Sequence, residues 1–162
     1  MTTVVYRDGI LAADGLVVGD NVIKTLNDRK IFDLFCGKSI AGFCGTSCCV
    51  AKFVDWSNET DFNFDLRRKS KKSFEVEEGF FAIEIMRDLD VALWDCGLHP
   101  VSQPQDFYAI GIGYQLAWGA MKAGASAEQA VRIAAESDIY TGGEIMVVDV
   151  REHFEKQAKT AA

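Results

Sequence analysis

The stretch that decides the fold is Thr2-Thr3-Val4-Val5-Tyr6-Arg7-Asp8-Gly9-Ile10-Leu11-Ala12-Ala13-Asp14-Gly15. Two runs rich in Val, Ile and Tyr flank Asp8-Gly9, the dipeptide that best tolerates the positive φ angles of a type I′ hairpin turn. The turn sets the register: if Arg7 faces Ile10, Thr3 lies opposite Asp14 and Thr2 opposite Gly15. A carboxylate is thereby delivered beside the start of the chain. Removal of Met1 would give Thr2 a free α-amine with a pKa near 8, suited to act as base for its own hydroxyl. Nucleophile and base would then reside in one residue.

Outward from the hairpin, 162 residues fit one domain, 1–162, with a polar tail from about 151. A chain of that length buries about 70 % of its unfolded surface. No run of 18 apolar residues exists and no basic start precedes an apolar core, so neither a membrane span nor a secretory signal is read, and a cytoplasmic location is expected. Five cysteines, an odd number with four clustered between Cys36 and Cys49, suit reduced thiols better than a disulfide framework. Cys48-Cys49 lacks zinc spacing, and His99 and His153 lie apart from any cysteine pair. No metal and no cofactor are expected. A net charge of −7 argues against general nucleic-acid binding.

Further along, Val17 to Asn21 reads as a turn and Val22-Ile23-Lys24 as a short strand. Lys30 to Phe35 is a run apolar on both faces, which implies cover on both sides. Ser39-Ile40-Ala41-Gly42-Phe43 is the next strand. After Thr46 or Ser47 as N-cap, Cys48 to Trp56 has helical spacing, with Cys49, Val50, Phe53 and Val54 on one stripe. Ser57 to Lys72 has no amphipathic period and reads as a loop. It holds Arg67, Arg68, Lys69, Lys71 and Lys72, a run that is most simply solvated. Strands are expected at 73–77, 79–86, 90–95 and 107–111, and the stretch from Gly97 to Gln105, with both prolines, as a loop. From Gly113 the pattern turns helical through Leu116, Ala117, Ala120, Met121 and Ala123. Ser126-Ala127-Glu128-Gln129 is a capping box opening a second helix with Ala130, Ile133 and Ala134 inward. Asp138 ends that helix, and Glu144 to Val150 forms the last strand. Strands, a helix, more strands, paired helices and a final strand fit two β-sheets packed between helices.

On three sets of residues the chain resembles the β subunits of proteasomes, most closely their bacterial HslV-like relatives. The first is Thr2-Thr3-Val4-Val5 with Leu11-Ala12-Ala13-Asp14-Gly15, in a hairpin two residues shorter in each arm than the family's. The second runs from Lys30-Ile31 to about Val54, including Ala41-Gly42-Phe43-Cys44-Gly45-Thr46. The third spans Phe107 to Val150 and contains the most specific match, Asp138-Ile139-Tyr140-Thr141-Gly142-Gly143, similar to the family's aspartate, any residue, tyrosine, serine or threonine, and two glycines.

The resemblance implies an α+β, four-layer α-β-β-α sandwich of the N-terminal nucleophile hydrolase type. It also implies threonine-peptidase chemistry on polypeptide substrates. Thr2 would attack, and Lys30 would lower the hydroxyl pKa, with Arg29 and Lys24 as rival positions for that lysine. Asp14 would orient Lys30, the Gly45 N–H would stabilise the oxyanion, and Asp138 with Thr141 would position the amine. A closed homo-oligomeric ring, stacked in pairs, and an ATP-dependent unfoldase follow by the same analogy. Gly111-Ile112-Gly113 departs from the family's glycine, serine, glycine, since Ile112 offers no side-chain hydrogen bond. That departure keeps open a catalytically weak or inactive ring-forming subunit, and the fold itself leaves room for a small-molecule amidohydrolase.

Overall fold

The computed structural model describes residues 2–59, 78–97 and 105–160. All but the first three residues of the loop expected from Ser57 to Lys72 lie outside those residues, as do the strand expected at 73–77 and most of the proline-containing loop. The opening hairpin pairs β1 (Thr3–Arg7) with β2 (Ile10–Ala13) in the expected register, Val4 with Ala13 through Arg7 with Ile10. Its turn carries φ of 52° at Asp8 and 84° at Gly9, both positive as a type I′ turn requires. A second small hairpin, β3 (Val17–Gly19) and β4 (Val22–Thr25), turns at Asp20-Asn21. Val17 to Gly19 is thus a strand where a turn was expected, because the positive φ falls on Asp20 and Asn21.

The other strands are β5 (Ile31–Leu34), β6 (Ser39–Cys44), β7 (Phe81–Met86), β8 (Val91–Trp94), β9 (Phe107–Gly111) and β10 (Met146–Asp149). They complete two antiparallel sheets of order β10-β2-β1-β9 and β5-β6-β7-β8. The helices are α1 (Ser47–Glu59), α2 (Tyr114–Lys122), α3 (Ala127–Ser137) and α4 (Val150–Thr160).

Strand alternation builds the layers. Along β1, Val4 and Tyr6 point between the sheets, where they meet Leu11, Ile31, Ile40, Ile83 and Ile85. Val5 points the other way, onto Ala117, Met121, Ala130 and Ala134 of α2 and α3. Ala41 and Phe43 of β6 pack under Cys49, Phe53 and Trp56 of α1. Every strand of the hairpin sheet and of β5–β6 therefore has apolar groups on both faces, and each large side chain so buried contributes about 1.5–3 kcal/mol. Gly42 allows the sheets to meet, because a Cβ there would lie 2.5 Å from Val4 Cγ1.

Three further sequence readings change. Helix α1 runs on through Ser57-Asn58-Glu59, where a loop was expected; the apolar stripe ends at Trp56, but the backbone helix continues for a further turn. The polar segment after Val150 is helical, anchored by buried Val150 and Phe154. In α3 the capping box forms in both directions, yet Ile133 is exposed and Val131 takes its place inside. At 100° per residue Val131 lies about 40° past the Ala127 edge of the arc set by Ala127, Ala130 and Ala134, and Ile133 about 60° past its Ala130 edge.

Candidate active site

Thr3 begins β1, and its pleat parity turns its side chain toward the helices, into a polar relay buried at Thr3 and Thr141 and partly exposed at Asp138. Gly113 N–H donates to Thr3 Oγ1 at 3.1 Å, and Thr3 Oγ1 lies 2.7 Å from Thr141 Oγ1. Thr141 Oγ1 donates to Asp138 Oδ2. Because the Thr141 proton is committed to Asp138, the Thr3 hydroxyl is the donor to Thr141. The four groups thus point their dipoles one way. Gly113 is required here: a Cβ would sit 2.4 Å from Thr3 Oγ1.

Asp14 follows β2 and anchors the same end of the hairpin. Its Oδ1 accepts from Thr3 N at 2.8 Å, and its Oδ2 accepts from Gly142 N at 3.0 Å and Leu16 N at 3.3 Å. Burial pushes its carboxyl pKa up, opposed by these backbone donors and by the Lys30 charge. The diglycine closes the arrangement. Gly15 N and Leu16 N donate to Gly142 O, and Glu144 N donates to Leu26 O. Gly143, at φ 75°, leaves no room for a Cβ, which would meet Leu26 O at 2.3 Å. The Asp138-to-Gly143 motif is therefore the brace that fixes Thr3 and Asp14.

Thr2, one residue earlier, lies where two cavities meet. One, of about 330 Å³, is lined by Thr2, Asp28, Lys30, Gly45 and an apolar wall that includes Phe32 and Val50. The other, of about 490 Å³, is lined by Thr2, Val17, Gly45, Phe81 and Ile112 among others. The Thr2 carbonyl accepts from Ile112 N at 2.9 Å. It passes so close to Gly111 that a Cβ there would lie 1.8 Å from the carbonyl oxygen, and φ of 95° at Gly111 fits only glycine comfortably. Gly45, at φ 126°, borders both cavities two residues before α1 begins, at the end of the helix whose dipole favours negative charge.

Of the three cationic candidates, only Lys30 is turned inward, its side chain 11 % exposed. Lys24 is half-exposed beside Asp20. Arg29 bonds Ile31 O at 2.8 Å and lies over the Phe32 ring. The direct partner of Lys30 is Asp28, at 3.0 Å from Nζ, whereas both oxygens of Asp14 are engaged by backbone N–H groups. Among the described residues no ion pair joins Asp14 to Lys30; the Lys30 charge reaches Asp14 through the electrostatic field. Asp138 and Thr141 likewise reach the Thr3 hydroxyl. Asp28 was missed in the sequence because nothing distinguishes an acid two residues before a lysine in a loop from a solvated one.

Cys44 also borders the second cavity, but burial pushes its thiol up to about 12, so it stays a neutral, unreactive thiol. Among the described residues no cluster of His, Cys, Asp and Glu could hold a metal ion, and no helix is long and apolar enough to cross a membrane.

Two antiparallel sheets between helical layers, with Thr2 just before the first strand sharing a cavity with Lys30 and a glycine turn, define a proteasome-type N-terminal nucleophile hydrolase fold. Solved structures agree. Eukaryotic HslV from Trypanosoma brucei superposes with a TM-score of 0.69 at 17 % identity, over 91 % of this chain and 97 % of that one. Thiobacillus denitrificans BPH in complex with epoxomicin gives 0.66 at 20 %, over 91 % and 96 %. No family model matches the chain. Sequence relatives narrow the class. The ATP-dependent protease subunit ClpQ of Bacillus licheniformis is 32 % identical over 85 % of this chain and 83 % of its own length. HslV of Chlorobium luteolum is 31 % identical over 90 % and 91 %, and HslV of Treponema denticola 28 % over 90 % and 93 %. The chain belongs to the HslV/ClpQ family of ATP-dependent protease subunits.

Proposed function

We propose that this chain is the peptidase subunit of an ATP-dependent protease and that Thr2, freed by removal of Met1, is its nucleophile. The observation that carries the reading is the division of labour between the two threonines. Thr3 has its hydroxyl locked in a buried relay, while Thr2 borders two cavities with Lys30 and Gly45 on their walls.

In this reading a polypeptide lies across the two cavities and its scissile carbonyl carbon meets Thr2 Oγ1. The α-amine takes the hydroxyl proton as the C–O bond forms and returns it to the departing amine as the C–N bond breaks; water then cleaves the acyl ester by the same route. The Lys30 ammonium stabilises the developing alkoxide, and the Gly45 N–H receives the oxyanion. Asp14, Asp138 and Thr141 act one shell away: they hold Thr3, and therefore the backbone of Thr2, in place. Polypeptide substrates, a homo-oligomeric ring stacked in pairs, an ATP-dependent unfoldase and a cytoplasmic setting belong to the same proposal and are supported by the HslV/ClpQ relatives.

Ile112 favours a second reading, a ring subunit with weak or no activity, because a half-exposed isoleucine stands in the cavity where the family has a hydroxyl. One experiment separates them. Intact mass of the purified protein, before and after a threonine-directed peptide epoxyketone, should show loss of Met1 and one adduct per chain on Thr2, absent in Thr2→Ala. Peptide cleavage by protein that quantitatively retains Met1 would refute the mechanism; a processed Thr2 that takes no adduct would favour the inactive subunit.

A further inference from the structure

We infer that Asp28 is a positioning residue for the reaction, the counter-ion that aims the Lys30 ammonium at Thr2; this inference rests on Thr2 and Lys30 acting as proposed above. The argument begins with what a lysine needs. Its ammonium is a compact charge on a flexible four-carbon stem, so without a fixed partner it samples many rotamers. At 11 % exposure it is largely removed from water, and an unpaired ammonium there is costly.

Asp14 does not supply that partner: its oxygens take the N–H groups of Thr3, Gly142 and Leu16, and among the described residues no ion pair joins it to Lys30. Asp28 is free to do so. Its Oδ2 lies 3.0 Å from Lys30 Nζ, and its own backbone is anchored, since Asp28 N donates to Gly15 O at 2.9 Å. Gly15 follows Asp14 directly, so the brace that holds Thr3 also holds the carboxylate that holds Lys30. Arg29 does not compete for it, being engaged by Ile31 O and the Phe32 ring. Asp28, Lys30 and Thr2 line one cavity. The Asp28 side chain is 39 % exposed and that of Lys30 11 %, so the carboxylate is the more solvated member of the pair.

The consequence is a specific kinetic signature. Asp28→Asn keeps size and one acceptor but removes the charge that holds the ammonium. It should lower kcat for a fluorogenic peptide amide, and the rate of Thr2 labelling by the epoxyketone, by about 10-fold, while KM stays within about twofold. Asp28→Glu, which restores the carboxylate on a longer stem, should recover both rates to within about threefold of wild type. The full-length oligomer should be used, with its melting temperature recorded for every variant.

Several outcomes would overturn the inference. In one, Asp28→Asn leaves kcat within twofold. In another, it acts through KM alone, as a mere wall of the cavity would. In a third, Asp28→Glu is as impaired as Asp28→Asn although both melt like wild type. If Asp28→Asn alone failed to fold, the rates of Asp28→Glu would decide, and equality with those of a folded Asp28→Ala would count against the proposal. Absence of labelling in wild type is a different result: it removes the Thr2 mechanism itself and this inference with it.

Discussion

Replacing Thr141 by valine tests the relay that separates the two threonines. The substitution is nearly isosteric, so its cost is electrostatic and not steric. Thr3, fully buried, loses the acceptor for its hydroxyl proton, and Asp138 loses a donor while keeping Tyr140 N. An orphaned buried hydroxyl costs about 1–3 kcal/mol, and the exposure of Asp138 to solvent softens the second loss. The expected total is about 2 kcal/mol, or roughly a 4–8 °C fall in melting temperature for a domain of this size. Thr3→Val should cost a similar amount, because it leaves the Gly113 N–H without its acceptor. The double variant should fall short of the sum by at least about 1 kcal/mol, since both hydroxyls disappear together and neither is left facing a methyl group. Thr141→Ser should remain near wild type. Urea denaturation at fixed protomer concentration measures all four. Strictly additive losses of less than about 0.5 kcal/mol each would refute the relay as a structural device. Peptide turnover should fall in Thr141→Val more than in Thr141→Ser, because the brace that fixes Thr3 also fixes Thr2.

Gly42→Ala drives a methyl group to 2.5 Å from Val4 Cγ1, so it should cost about 1–3 kcal/mol in a denaturation assay, part of which Val4→Ala in the same chain should restore. Ile112→Ser removes a side chain that is 49 % exposed, so little stability should be lost; turnover should rise if the missing hydroxyl limits proton transfer, and unchanged turnover in an active enzyme would show that it does not. Asp14 should titrate, by its ¹³C carboxyl resonance, with a midpoint above the ordinary value of 3.8. Because the folded state then prefers the protonated acid, its contribution to stability is fully present below the unfolded pKa and is lost as pH rises through the folded one. A midpoint below 3.8 would reverse that sign. Under native conditions iodoacetamide should modify exposed Cys36, Cys48 and Cys96 and spare Cys44 and Cys49, as read by peptide mass.

The features legible in the sequence were those set by local chemistry. Asp8-Gly9 determined a hairpin register that holds from Arg7 and Ile10 to Val4 and Ala13, because a two-residue turn with two positive φ angles leaves no other pairing. Ser126 with Gln129 determined where α3 starts, and Asp138 to Gly143 announced a brace in which Gly143 is required by its contact with the Leu26 backbone and Gly142 bonds Asp14, Gly15 and Leu16. What neighbouring residues could not say was decided by tertiary structure. Pleat parity puts Thr2 and Thr3 on opposite faces of the first strand, yet only the packing of α2 and α3 on one face makes Thr3 a locked structural hydroxyl and leaves Thr2 at the cavities. The partner of Lys30 had the same origin. The sequence pointed to Asp14, whereas the fold sets Asp28 against Lys30 and gathers the N–H groups of Thr3, Leu16 and Gly142 on Asp14, the last of them only after the two ends of the molecule have met.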